Sequence, residues 1–177
     1  MSIVINDKRF KKLIDYSEIS HKVDELAQKI TRDHAGRDLL IVGVLKGGII
    51  FMSDLMRSLD IDPEIDFLQV SSYKDEMEAG ELELISDVKT TLTNKNVLLV
   101  EDLIDTGKTL EFIRADILSK QPSSFKICTL IKKKNSSQAS INIDYVGFEI
   151  GNEFIVGYGM DYAEKGRSLR DIYVIDP

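Results

Sequence analysis

The chain has 177 residues, of which 43% are hydrophobic and 30% charged, with a formal net charge of −7 and one cysteine. That composition belongs to a globular protein soluble in water, and the length suits one domain with a proper core. The acidic balance argues against general nucleic-acid binding, which wants a basic face. Cys128 cannot form an internal disulfide, and no apolar run approaches the ~20 residues of a membrane span.

The N-terminal Met-Ser-Ile-Val-Ile-Asn-Asp-Lys has no signal-peptide layout, so a cytoplasmic protein is expected. Ile3-Val4-Ile5 and Leu13-Ile14 mark a short strand and tether over residues 1–16. Ser17 or Ser20 can cap the next segment. There Ile19, Val23, Leu26, Ala27 and Ile30 keep helical spacing, and Gly36 is the stop. His21 and His34 lie at the two ends of this helix with no metal-ligand or nucleophile partner at recognisable spacing. Both read as surface residues. Asp38–Leu45 is a continuous apolar run, as expected of a strand covered on both faces. Lys46-Gly47-Gly48 follows at once, then an apolar helix around Ile49–Leu59. Ile65–Val70 reads as another strand, Ser71 to about Glu81 as a polar loop, and Leu82–Ile85 as a short strand.

Residues 97–110 organise the chain. Val97-Leu-Leu-Val100 reads as a buried strand. Two carboxylates, Glu101 and Asp102, come directly after it, then Asp105-Thr106-Gly107-Lys108-Thr109. An amphipathic helix follows, with Leu110, Ile113, Ile117 and Leu118 on one face. A loop that opens a helix presents unpaired N–H groups and a positive dipole end, which suit a phosphate. A nucleoside-triphosphatase loop is excluded, because the glycine it needs five residues before Gly107 is Asp102. Pro122-Ser-Ser leads to the apolar strand Phe125–Ile131, which holds Cys128 as a buried, inert thiol and ends in Lys132-Lys133-Lys134. Asp144–Ile150 and Gly151–Tyr162 complete the pattern. Strands alternating with helices from 38 to 131 predict a mostly parallel sheet with right-handed crossovers. Such a sheet gathers Lys46, Asp102, Asp105 and Lys132 at the edge where ligands sit.

Val97–Thr109 resembles the phosphoribosyl-pyrophosphate (PRPP) signature of the type I phosphoribosyltransferases. From about residue 10 to its end the chain is similar to the 6-oxopurine branch, the hypoxanthine-guanine phosphoribosyltransferases. The resemblance implies one α/β domain over 1–177: a mostly parallel central sheet flanked by helices (core about 17–150), with a small hood from about 1–16 and 151–177. It implies purine salvage, in which magnesium-dependent transfer of 5-phosphoribosyl from PRPP to hypoxanthine or guanine yields IMP or GMP and pyrophosphate.

The same resemblance assigns roles. Glu101 and Asp102 address the ribose hydroxyls and the metal, and Asp161 is a metal-associated carboxylate that also borders the base. Asp105 is the general acid/base near purine N7, and Asp105, Thr106, Gly107, Lys108 and Thr109 hold the 5′-phosphate. Lys46 and Gly47 match the loop that holds pyrophosphate, where the family often has a non-proline cis peptide, and Arg167 is a basic residue reaching that pyrophosphate. Lys132 matches the lysine that hydrogen-bonds the 6-oxo group; an ammonium donates to oxygen and has no acceptor for an amine. Phe154 stacks on the base, Ile155 contacts it largely through backbone, and Ser72-Tyr73 lie on a lid. Gly151 stands where the family commonly has proline, and Lys165-Gly166 where an aromatic commonly precedes Arg167. The family forms dimers and tetramers, so a homodimer or homotetramer is implied, with no nucleic-acid or membrane partner. The alternatives are a PRPP-sensing regulator and a transferase for another base such as xanthine. The regulator would need a basic face or an added binding element.

Overall fold

A computed structural model describes residues 2–72, 82–134 and 141–176. In chain order, β1 (Ser2–Ile5) and β2 (Lys8–Ile14) form a hairpin, followed by α1 (Tyr16–His34), β3 (Leu39–Leu45), α2 (Ile49–Ser58) and β4 (Glu64–Ser72). Then come β5 (Leu82–Ser86), β6 (Asn96–Ile104), α3 (Lys108–Ser119), β7 (Ser124–Lys133), β8 (Tyr145–Ile150), β9 (Ile155–Val156) and β10 (Ile172–Ile175). The larger sheet has the order β5-β4-β3-β6-β7-β8. Its pairs are parallel except β4 with β5. The smaller sheet, β1-β2-β10-β9, is antiparallel and joins the two ends of the chain.

The apolar run of β3 follows from its central place. Ile41 faces a core shared with Ile19, Val23 and Ile30 of α1 and Phe51 and Leu55 of α2. Leu40 and Val42 face the opposite core with Leu110, Ile113 and Ile117 of α3. Alternate side chains thus enter two cores, and each fully buried one contributes roughly 1.5–3 kcal/mol. The smaller sheet has its own core around Phe10, Val156 and Tyr173.

Three local expectations are corrected. The cap of α1 is Asp15, not Ser17 or Ser20. Its carboxylate accepts from the N–H groups of Ser17 and Glu18 at 2.9 and 3.1 Å, and the Asp15 N–H donates to Glu18, a reciprocal capping box. His34 is buried beneath the end of α1, and neither ring nitrogen has a hydrogen-bond partner among the described residues. Gly36, at φ +71°, does end that helix region. Leu118 is 39% exposed, so α3 buries Leu110, Ile113 and Ile117 without it, and partly buried Phe112 packs against the same core.

Candidate active site

The strand β6 runs four residues beyond the apolar stretch, so Glu101 and Asp102 lie on the strand itself. Pleating sends them to different surroundings. Glu101 is buried, and its Oε2 has no hydrogen-bond partner among the described residues. Burial pushes its carboxyl up to about 8, and the neighbouring Asp102 charge adds to the shift. Burial also raises Asp102, to about 6, against opposing backbone hydrogen bonds and the attraction of Arg167. Both border a cleft of about 320 Å³ beyond the ends of β3, β6 and β7.

The floor at β3 is the loop Lys46-Gly47-Gly48, entered through a cis Leu45–Lys46 peptide. A Cβ on Gly47 would overlap the Asp102 carboxylate, and one on Gly159 would overlap the Gly47 carbonyl. The loop is therefore sandwiched between β6 and the segment after β9. The same segment brings Asp161 and Arg167 to the cleft. Arg167 Nη1 donates to the Gly159 carbonyl at 2.9 Å, and Nη2 lies 2.8 Å from Asp161 Oδ1. Gly166, at φ +95°, keeps the chain tight before Arg167, with Val156 and Ile5 filling the space a side chain would take.

After β6 the chain turns through Asp105 and Thr106 to Gly107, which caps α3 at φ +82°. Asp105 and Thr109 line the cleft. At the other end Phe154, 44% exposed, presents an aromatic face and meets Tyr162 edge-on at 5.9 Å. Ile155 lies beside it, buried in β9.

The geometry gathers two carboxylates on a strand end, a glycine loop, a helix N-terminus and an aromatic face around one cleft. The family model for the phosphoribosyl transferase domain matches residues 14–163. The chain belongs to this family. A hypoxanthine-guanine phosphoribosyltransferase from Streptococcus mutans is 43% identical over 93% of the chain and 92% of that protein. A bifunctional protein TilS/HprT from Listeria innocua is 41% identical over 94% of the chain, which spans only 26% of that longer protein. The crystal structure of a hypoxanthine-guanine phosphoribosyltransferase from Bacillus anthracis superposes with a TM-score of 0.88 at 41% identity, covering 94% of this chain and 98% of the other. The fold is that of the type I phosphoribosyltransferases.

Set against this phosphoribosyltransferase fold, the residues expected at the site divide clearly. Glu101, Asp102, Asp105, Thr109, Gly47, Phe154, Ile155, Asp161 and Arg167 border the cleft. Thr106, Gly107 and Lys108 form the turn and first helical residue beside it. Lys46 stands at its rim, paired with Glu164.

Lys132 is corrected. The strand β7 continues through Lys133, so alternation turns Lys132 away, 3.6 Å from Glu149. Lys133 takes the cleft side: it is buried, and its Nζ donates to Asp105 Oδ2 at 2.9 Å. Counting the strand two residues longer would have found it. Ser72 is the last residue of β4, and Tyr73 lies outside the described residues. Met160 and Glu164 complete the surroundings without having been legible as site residues.

Proposed function

We propose that this chain acts in purine salvage as a hypoxanthine-guanine phosphoribosyltransferase, moving 5-phosphoribosyl from PRPP to a 6-oxopurine and releasing pyrophosphate. The observation that carries the reading is the buried Lys133 ammonium held on Asp105, in a cleft that also presents Phe154. A donor cation beside an acid/base carboxylate, in a cleft that also holds an aromatic ring, fits a base with an oxo group and a nitrogen that must lose a proton. The names of the relatives support the same chemistry.

In this reading Phe154 stacks on the base and Lys133, in place of Lys132, donates to its 6-oxo oxygen. Asp105 accepts the purine proton as a ring nitrogen bonds C1′. The C1′–O bond to pyrophosphate breaks and its electron pair leaves on pyrophosphate. Asp102 faces the cation that develops at C1′, where fixed negative charge stabilises it. The N–H groups opening α3 and the Thr106 and Thr109 hydroxyls hold the 5′-phosphate. Lys46, Gly47 and Arg167 receive pyrophosphate. Much of the acceleration comes from holding two substrates in line.

Magnesium fits the donors at this site. Glu101, Asp102 and Asp161 offer hard oxygens, and Glu101 Oε2, with no hydrogen-bond partner among the described residues, keeps its lone pairs open to coordinate a cation. Among the described residues no group of three ligating side chains forms a ready-made cage. Magnesium takes one or two carboxylates and completes its shell with water and phosphate oxygens. When bound, magnesium neutralises charge on pyrophosphate and improves it as a leaving group. Among the described residues no helix is long and apolar enough to cross a membrane. A cytoplasmic homodimer or homotetramer completes the proposal.

The test is nucleotide formation from PRPP and magnesium with hypoxanthine, guanine, xanthine, adenine and uracil offered in parallel. Hypoxanthine or guanine should turn over, magnesium removal should abolish the reaction, and Asp105→Asn should slow it by roughly 10²–10⁴-fold. Turnover of another base alone would overturn the base assignment. A protein that binds PRPP but turns over no base would be a PRPP sensor instead.

A further inference from the structure

Lys46 and Arg167 already share an anion. Glu164 Oε2 lies 3.1 Å from Lys46 Nζ and 3.4 Å from Arg167 Nη2. One carboxylate oxygen therefore sits between a cation of the loop after β3 and a cation of the segment after β9. Its position is built by the backbone. Ala163 and Glu164 both adopt left-handed conformations, at φ +51° and +63°, which non-glycine residues visit rarely. The turn is closed by Tyr162 N–H donating to the Lys165 carbonyl at 2.8 Å and by the return bond at 3.1 Å. The Glu164 N–H donates to Asp161 Oδ2 at 2.8 Å. The Lys46 hydrogen bond, first among several causes, holds the Glu164 carboxyl below its ordinary range, so the group is anionic.

The two cations differ in what else holds them. Arg167 is half-buried and keeps its bonds to the Gly159 carbonyl and Asp161 whatever Glu164 does. Lys46 and Glu164 have side chains 56% and 67% exposed. Exposed pairs of this kind are weak and exchange readily with water or another anion. Nothing in the packing of the core changes if the Glu164 carboxylate swings into solvent.

We propose that Glu164 is a positioning residue that stands in for pyrophosphate: it holds Lys46 and Arg167 together before substrate binds, yields to the pyrophosphoryl group of PRPP, and competes with pyrophosphate for the same cations after transfer. The inference rests on the assignment of those two cations to pyrophosphate. It assigns Glu164 a role in binding and release, not in the bond-making step.

Titration calorimetry with inorganic pyrophosphate and magnesium tests this apart from activity. Glu164→Gln keeps the shape and removes the charge. It should bind pyrophosphate roughly 3- to 10-fold more tightly, the scale of losing one competing exposed ion-pair network. The KM for PRPP should fall by a similar factor while the KM for the base stays. In a Lys46→Ala background the same substitution should give a much smaller gain. Unchanged or weaker pyrophosphate binding by a Glu164→Gln protein of wild-type thermal stability would overturn the inference, because a merely structural residue gives that result. Should the folded wild-type protein bind no pyrophosphate, the assignment of the two cations fails first and takes the inference with it, whatever the transferase assay shows.

Discussion

The two loops that close strand–loop–helix units in this protein use glycine for opposite reasons. Gly107, between β6 and α3, adopts φ +82°, a conformation an L side chain resists wherever it stands. Gly47, between β3 and α2, has no such backbone need; it is small because the Asp102 carboxylate of β6 fills the space its Cβ would take. One glycine answers to its own turn, the other to residues far away in the chain. A local pattern announces the first kind of site. The second kind exists only once the sheet has assembled.

Alanine at each position gives the sharpest contrast and the largest effect. Gly47→Ala drives a methyl into the Asp102 carboxylate. Nucleotide formation should lose roughly 10²-fold in kcat/KM, the usual cost of moving a reacting group by about 1 Å. Gly107→Ala should act mainly on stability, lowering it by about 1–2 kcal/mol through the left-handed backbone. Assays and thermal melts on both variants would check this. Equal losses of activity with equal melting temperatures would break the distinction.

The adjacent lysines of β7 carry the same contrast at smaller scale. Lys133→Met removes the buried ammonium beside Asp105 and should raise the KM for the base roughly 10–100-fold, the worth of a hydrogen bond to a charged group. Lys132→Met breaks only a half-exposed pair with Glu149 and should change it by less than about 3-fold. Steady-state kinetics with hypoxanthine and guanine separate the two. A larger effect at Lys132 would restore the simpler count of the strand.

His34 should give the smallest effect, far from either loop. Burial, helped by Lys126 and Arg37 and opposed by Asp33 and Asp144, holds its ring below the ordinary value of histidine. The unfolded chain therefore takes up the proton first. The stability linked to neutral His34 is complete above about pH 6.5 and is lost as pH falls from there toward the lower folded value. In His34→Leu that contribution should vanish. Urea denaturation between about pH 7.5 and 5 should give a flatter profile for the variant than for wild type. Parallel profiles would mean that the folded protein tolerates the charged ring.

Much of the architecture was legible because burial is periodic. The unbroken apolar run of β3 announced a strand covered on both faces, and the spacing of Ile19, Val23, Leu26, Ala27 and Ile30 announced the inner face of α1. The abrupt change at Glu101 and the turn at Gly107 marked the cleft for the same reason: charge and left-handed backbone are rare at the end of a buried strand unless something uses them. Where an element stops was less legible. Two extra residues of β7 exchange Lys132 for Lys133, since each step along a strand reverses the face. Asp15 took the cap of α1 from Ser17 because the chain entered the helix two residues earlier than the serine pattern implied.

By itself, the sequence determined which residues needed a core, which turns needed glycine, and that a carboxylate pair and a glycine turn opening a helix would share one edge of the sheet. Only the tertiary structure decided which lysine meets Asp105, that His34 lies buried, that Asp102 rests on Gly47, and that Glu164 lies between Lys46 and Arg167. Apart from Glu164 with Arg167, three residues on, those pairings join segments tens of residues apart. Their energy comes from contacts that no local window contains, so neither periodicity nor spacing could reveal them.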